Sequence, residues 1–174
     1  MQIRFLAVIP ALLMAATLYG QAAPKGAHAD LVNSEGKSVG TATLMPADGG
    51  VHITANLSNL PPGTHAFHIH ASGKCEAPGF TTAGGHFNPE QKQHGTENPM
   101  GAHAGDLPNF EVGQDGTAHI SVMASNVTLG PGENSLFHPG GTALVIHEKA
   151  DDYKSDPAGN AGARIACGVI VASQ

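Results

Sequence analysis

Strict alternation of apolar and polar residues is the clearest pattern in this chain. Val51 to Leu57 (VHITANL) places Val51, Ile53, Ala55 and Leu57 on one face and His52, Thr54 and Asn56 on the other, as in a half-buried strand with one side to solvent. His52 accordingly faces outward and receives no metal role. Thr117 to Met123 (TAHISVM) repeats the pattern, with Ala118, Ile120 and Val122 inward; Ser38 to Leu44 (SVGTATL) alternates weakly. Shorter strands are predicted over Ala27–Asn33 and Asn109–Val112, and a longer one over Arg164–Ala172. Thr142 to His147 (TALVIH) is apolar throughout and strand-like. His65 to His70 (HAFHIH) reads as one strand, with Phe67 and Ile69 in the core and His68 and His70 on the opposite face. Turns separate these runs: Glu35-Gly36-Lys37, Asp115-Gly116 and the hairpin signal Ala47-Asp48-Gly49-Gly50. The expectation is an all-β chain of eight short strands in a Greek-key barrel or sandwich. Two long loops interrupt it, Ala71–Pro108 and Glu148–Ala163.

Composition supports that class. The 23 glycines and 12 prolines suit many turns, and there is no tryptophan. Met1 to Arg4 begins with a single positive charge, Phe5 to Leu18 is almost wholly apolar, and Gly20 to Ala23 are small or polar. This is the layout of a secretory signal peptide. Cleavage is expected after Ala22, with Ala23 as the alternative, giving a leader over 1–22 and one domain over 23–174. The apolar run is short for a bilayer span, so no stable membrane anchor is expected after cleavage. Export would be to a periplasm or to the cell exterior. Loss of Arg4 takes the net charge from −6 to −7, which argues against nucleic acid as a partner. Cys75 and Cys167, an even count in an exported chain, read as a disulfide.

A structureless loop as long as Ala71–Pro108 is ordinarily functional or disordered, and this one is dense in ligands. His86, His94, His103 and Asp106 lie in it, directly after His68 and His70; His147 ends a later strand. His68 and His70 project to the same side about 7 Å apart along the backbone and can chelate one ion. His94, His103 and Asp106 with His86 upstream make a closed set of three imidazoles and one carboxylate, the structural kind of zinc site. Imidazole suits zinc and copper alike. The spacing of His68 and His70 alone is weak; the joint pattern is far more specific.

The segments FHIH (67–70), GGHFNPEQKQHG (84–95), HAGDLPN (103–109), GTALVIHEKADD (141–152) and GNAGARIACGVI (159–170) resemble the copper–zinc superoxide dismutase family, in the right order across the whole expected domain. The resemblance implies one copper per subunit on His68, His70, His86 and His147. It implies one zinc per subunit on His86, His94, His103 and Asp106, with His86 bridging the two. Asp151 would link a copper-ligand histidine to a zinc-ligand histidine, Arg164 would guide the anionic substrate, and Cys75 and Cys167 would form the disulfide. Arg164 and His86 are thus the residues expected to act on superoxide. Sixteen residues between His147 and Arg164, and four between His70 and Cys75, look more like the bacterial exported branch. Neither Lys149 nor Lys154 is therefore given a guiding role. Ala66 stands where many members have glycine. The implied activity is disproportionation of superoxide to oxygen and hydrogen peroxide. An exported copper- or zinc-carrying or chaperone-like relative, and a purely structural domain of the same fold, are the alternatives. No residue marks a dimer surface, and a homodimer stays open. His65 is expected to be structural, and His28, His119 and His138 surface or satisfied polar residues.

Overall fold

The computed structural model describes residues 24–173, so the leader expected over 1–22 lies outside the described residues. Among the described residues ten strands follow one another: β1 (Ala27–Asn33), β2 (Ser38–Ala47), β3 (Gly50–Leu57), β4 (Gly63–His65), β5 (Phe67–His70), β6 (Phe110–Val112), β7 (Ala118–Ala124), β8 (Ala143–His147), β9 (Arg164–Val169) and β10 (Val171–Ala172). One antiparallel eight-stranded sheet runs β5-β8-β9-β1-β2-β3-β7, with β10 also on β1, and curls into a half-barrel; β4 and β6 form a separate ribbon. The only helical turn among the described residues is a 3₁₀ turn at Thr81–Ala83. No described helix is long and apolar enough to cross a membrane.

The all-β expectation is met, but two expected strands are each broken in two. His65–His70 divides at Ala66, whose N–H donates to Lys149 O at 2.9 Å while its carbonyl accepts from His147 N–H at 3.0 Å. The chain thereby passes from the β4–β6 ribbon to the main sheet. Arg164–Ala172 divides at Ile170, whose N–H turns to Thr142 O at 3.0 Å. Neither switch leaves a mark in hydrophobic periodicity, because both are made by backbone groups of distant segments.

Alternation sets the core. Ala27, Ala29 and Leu31 of β1, Ala42 and Leu44 of β2, Val51, Ile53, Ala55 and Leu57 of β3, and Ile120 and Ala124 of β7 are all buried together. Every residue of β8 is buried, which explains its unbroken apolar run. Leu144 and Ile146 join the main core; Ala143 and Val145 face the other way, into a second cluster with Phe80, Ala83 and Cys167. A strand covered on both faces has no polar side. The expected disulfide is formed: Cys75 and Cys167, 92 residues apart, are bonded, and this pins the loop after β5 onto β9.

Candidate metal centre

β5 has β8 on one side, in the register His68↔Val145 and His70↔Ala143. Its other side is taken by the long loop. Ile69 N–H donates to Gly105 O at 2.9 Å, Phe87 N–H to Ile69 O at 2.8 Å, and Ala71 N–H to Gly85 O at 2.9 Å. His68 is thereby bridged to Asp106 and His70 to His86. Backbone pairing, more than side-chain packing, delivers the loop's ligands to those of the strand. Gly105 makes this approach possible, since a Cβ there would lie 2.2 Å from Ile69 O.

The candidate ligand atoms fall into two adjoining clusters. In each of the sets His68, His70, His86, His147 and His86, His94, His103, Asp106, one atom per residue lies within 4.8 Å of the others. In the second, Nδ1 of His86, His94 and His103 lie 2.8, 3.0 and 3.2 Å from Asp106 Oδ1. Asp106 Oδ2 is turned away and accepts Gly95 N–H and His103 N–H, each at 2.9 Å. The carboxylate is fixed by one oxygen and offers the other.

In the first cluster each ring has one nitrogen committed and one free to coordinate. His68 Nε2 donates to Asp151 Oδ2 at 2.7 Å, leaving Nδ1. His70 Nδ1 donates to Gly84 O at 2.9 Å, leaving Nε2. His147 Nδ1 points to Gly162 O at 3.4 Å, and its Nε2 lies 3.3 Å from His70 Nε2. His68 Nδ1 and His86 Nε2 are buried with no hydrogen-bond partner. Buried polar atoms left unpaired are costly, and these two belong to the set that encloses one ion-sized space. Fixing one imidazole nitrogen so that the other presents its lone pair is how proteins hold metal-binding histidines. The residues present therefore fit two metal ions that share His86.

Charge follows the same division. Burial lowers the pKa of His68 and His70, the latter to about 2 with help from nearby His86. Burial also brings His86 and His147 down to about 4. All four rings are thus neutral, the form that binds metal. For His94 burial again disfavours the charge, but hydrogen bonds to Asp106 and Asp151 outweigh it and raise the ring to about 9. Burial opposes ionisation of Asp106 too, yet His103, His86 and His94 hold it far below the usual carboxylate range.

Asp151 ties the clusters together. Its Oδ1 accepts from His94 Nε2 at 2.9 Å, while Oδ2 accepts from His68. A Cβ at residue 159 would fall 1.8 Å from that Oδ1, so Gly159 is obligatory beside it. Sequence reasoning missed the groups that hold Asp151. Asn109 Oδ1 accepts Asp151 N–H at 2.8 Å, and Asn109 Nδ2 donates to Asp151 O at 2.9 Å. Asn109 ends the segment HAGDLPN, which was the one available signal. Asp156, also missed, accepts His94 N–H at 2.7 Å. His65 is structural as expected, spanning His147 O and Pro61 O at 2.8 Å each.

Arg164 lies opposite His147 across β8 and β9. It donates from Nη1 to Phe80 O at 2.7 Å and from Nη2 to Gly84 O at 2.6 Å. Gly84 O therefore holds both the guanidinium and the His70 ring. An open cleft of about 370 Å³ has His70, His86, His147, Pro157, Gly162 and Arg164 in its wall. His52, His119 and His28 lie away from it, the first two bonded to Ser121 and Asn56 on the outside of the sheet. His138 departs from the surface reading: it stacks on Phe87 at 5.2 Å between ring centroids, with Nε2 buried and unpaired.

An antiparallel β half-barrel with two adjoining imidazole-rich clusters at one edge defines a protein built for a pair of metal ions. Its relatives share that architecture. The copper/zinc superoxide dismutase family profile matches residues 38–170. Superoxide dismutase [Cu-Zn] 1 of Aquifex aeolicus is 56% identical over 145 residues, covering 82% of this chain and 86% of that protein. The superoxide dismutase-like protein YojM of Bacillus subtilis is 47% identical over 151 residues, covering 84% and 76%. Among solved structures, a SOD-like protein from Bacillus subtilis matches with a TM-score of 0.80 at 46% identity, over 83% of this chain and 97% of that one. Cu/Zn superoxide dismutase from Brucella abortus matches at 0.65 and 32% identity, over 82% and 97%. The chain belongs to the copper/zinc superoxide dismutase family, a family of oxidoreductases, and copper and zinc are the metals that membership implies.

Proposed function

We propose that this chain is an exported superoxide dismutase, with a leader over 1–22 and the enzyme over 23–174. His68, His70, His86 and His147 hold copper, and His86, His94, His103 and Asp106 hold zinc. The observation that carries the reading is the convergence of both complete ligand sets on the shared ring of His86. It bears directly on the alternative, because one close relative is named only superoxide dismutase-like. A carrier or chaperone-like protein has no need of a closed zinc set, a bridging imidazole and an arginine together beside an open cleft. The disulfide is of the kind an oxidising compartment permits.

Two superoxide anions and two protons become one oxygen and one hydrogen peroxide. A copper ion held by His68, His70, His86 and His147 would supply the one-electron redox chemistry, and a zinc ion held by His86, His94, His103 and Asp106 would supply charge without changing oxidation state. The chain's own groups do the rest. Arg164 attracts the anion into the cleft and holds it beside His70 and His147. His86 Nε2 can carry a proton when it is not a ligand and deliver it to the departing peroxide; water supplies the other. Asp151 and Asp106 keep the rings oriented throughout. Metal content and superoxide decay measured on one purified sample test the proposal. Both metals with fast decay are expected, and both metals with no decay would leave only a binding protein.

A steering prediction follows from Arg164. The whole chain is acidic, so attraction must be local, and a cleft can focus it. A unit charge about 5 Å from the anion is worth roughly 3 kcal/mol at an effective dielectric near 20. Solvent and salt reduce that to about 1–2 kcal/mol, or about tenfold in rate. Arg164→Ala should thus slow decay about tenfold with copper retained, and Arg164→Glu should slow it further. Arg164→Lys should be mild but not silent, since lysine keeps the charge and cannot bond Phe80 O and Gly84 O in the same fork. Salt should slow the parent more than Arg164→Ala. Equal rates for the Lys and Glu variants would place the steering charge elsewhere.

Asp106 gives a second prediction. Asp106→Ala removes the only anionic member of the zinc set and leaves Gly95 N–H and His103 N–H unpaired. Zinc content and melting temperature should both fall, with some copper retained. Full zinc and unchanged melting would move the zinc site.

A further inference from the structure

The outer face of the sheet holds one imidazole between two thioethers. β2, β3 and β7 lie side by side, and their register sets Met45 opposite His52 and His52 opposite Met123. Directly opposed residues of antiparallel strands project from the same face, with Cβ atoms about 4.5–5.5 Å apart. The three side chains therefore form a row across the outer surface. Their sequence neighbours Leu44, Val51, Ile53 and Ala124 are buried. Met45 is 48% and Met123 41% exposed, placing both among the four exposed large hydrophobic side chains of the described residues. Isolated apolar residues on a surface are ordinary, but these two flank one histidine. The adjoining rows of the same strands are polar: Thr43, Thr54 and Ser121, then Thr41, Asn56 and His119.

His52 has one ring nitrogen engaged on the sheet surface. Its Nε2 lies 3.0 Å from Ser121 Oγ, and among the described residues Nδ1 has no hydrogen-bond partner. With Nε2–H donated to the hydroxyl, Nδ1 presents a lone pair. Met45 Sδ rests over Gly26, 2.9 Å from where a Cβ would stand there. Its unbranched side chain has the freedom to turn from that position toward His52. No lysine or arginine occurs in β2, β3 or β7, so these strands set no fixed positive charge against a cation.

We propose that Met45, His52 and Met123 form a binding site for cuprous ion, separate from the two clusters at β5. Thioether sulfur is a soft ligand that favours Cu(I), and imidazole accepts copper; neither sulfur suits magnesium or calcium. An ion held there sits at the surface, where incoming ligands reach it and can exchange it. The site is one of storage or transfer, and no redox step is assigned to it. The proposal does not depend on which metal fills which inner cluster.

The test uses the protein carrying its full copper and zinc complement, so that the inner clusters are filled. Cu(I) is titrated in without oxygen, in competition with bicinchoninate, and zinc sulfate is titrated in parallel. One further Cu(I) per chain is expected, with sulfur in its X-ray absorption shell; both described cysteines are disulfide-bonded, so that sulfur must be methionine. Met45→Leu/Met123→Leu should weaken uptake by at least about tenfold and remove the sulfur signal. His52→Asn should weaken it independently, which keeps the test decisive should the double variant fold poorly. Met100→Leu, at an exposed methionine outside the row, should leave uptake unchanged. Superoxide decay should be unaltered in all of these variants. No further Cu(I) on the parent, undiminished uptake in both row variants, or equal preference for zinc would each overturn the proposal.

Discussion

His86→Ala is expected to abolish most superoxide decay and to deplete both metals. The expectation rests on where the ring sits. Its Nδ1 is 2.8 Å from Asp106 Oδ1, in the cluster with His94 and His103. Its Nε2 is buried without a partner on the side of the other cluster. Ring centroids of His68 and His70 lie 4.1 and 4.9 Å away, and those of His94 and His103 lie 5.0 and 5.4 Å away. No other residue belongs to both ligand sets. Alanine therefore leaves three ligands at each ion, removes the contact between the sites and takes away the ring proposed to carry the proton. Metal analysis, decay kinetics and the spectroscopic signature of coupled ions should all change together. His119→Ala should change none of them, since that ring bonds Asn56 on the outer face. Normal decay with both metals in His86→Ala would end the two-metal reading.

The second large effect is expected from Cys75→Ser/Cys167→Ser. On the entropic account, a cross-link closing a loop of about 100 residues stabilises by about 4–5 kcal/mol. At about 2–4 °C per kcal/mol for a domain of this size, the melting temperature should fall by about 8–20 °C. Activity should fall as well, for a local reason. The bond fastens the loop that carries Phe80 and Gly84, whose carbonyls hold Arg164, and Gly84 O also holds the His70 ring. Decay measured well below the lowered melting temperature should still be slower than in the parent. Thiol titration of the unreduced, denatured parent should find no free thiol. A variant that melts early yet works at full speed when folded would confine the bond to stability.

The sequence made the sandwich strands legible because one face of each is buried and the other wet. β1 runs Ala27–Asn33 as expected, and β3 and β7 lie within a residue of their alternating runs. The residues that cluster as candidate ligands were legible too, although less from spacing than from the joint resemblance; the pair His68 and His70 is weak evidence by itself. Harder to see was whatever backbone amides and carbonyls arrange. The break at Ala66, the break at Ile170 and the seating of residues 85–106 on β5 are made by main-chain hydrogen bonds, to which side-chain periodicity is blind. The supporting groups were missed for a related reason. Asn109 and Asp156 are ordinary loop residues until folding brings them against Asp151 and His94. His138 was missed because nothing in the sequence sets it against Phe87.

The seating of the long loop on β5 also covers what would otherwise be an open sheet edge. β5 would otherwise be the outermost strand of its side of the sheet, with a row of open amides and carbonyls and the apolar Phe67 and Ile69 alternating along it. Such an edge is a template for pairing with another chain. Here residues 85–87 and 105–106 occupy it, in a loop tied to β9 upstream through Cys75 and drawn together by the histidines and Asp106. The same segment that gathers the candidate ligands thus serves as an edge guard. Loss of metal and reduction of the bond would loosen the guard from both sides at once, so copies stripped of both are the ones most exposed to strand-to-strand aggregation, whatever their remaining stability.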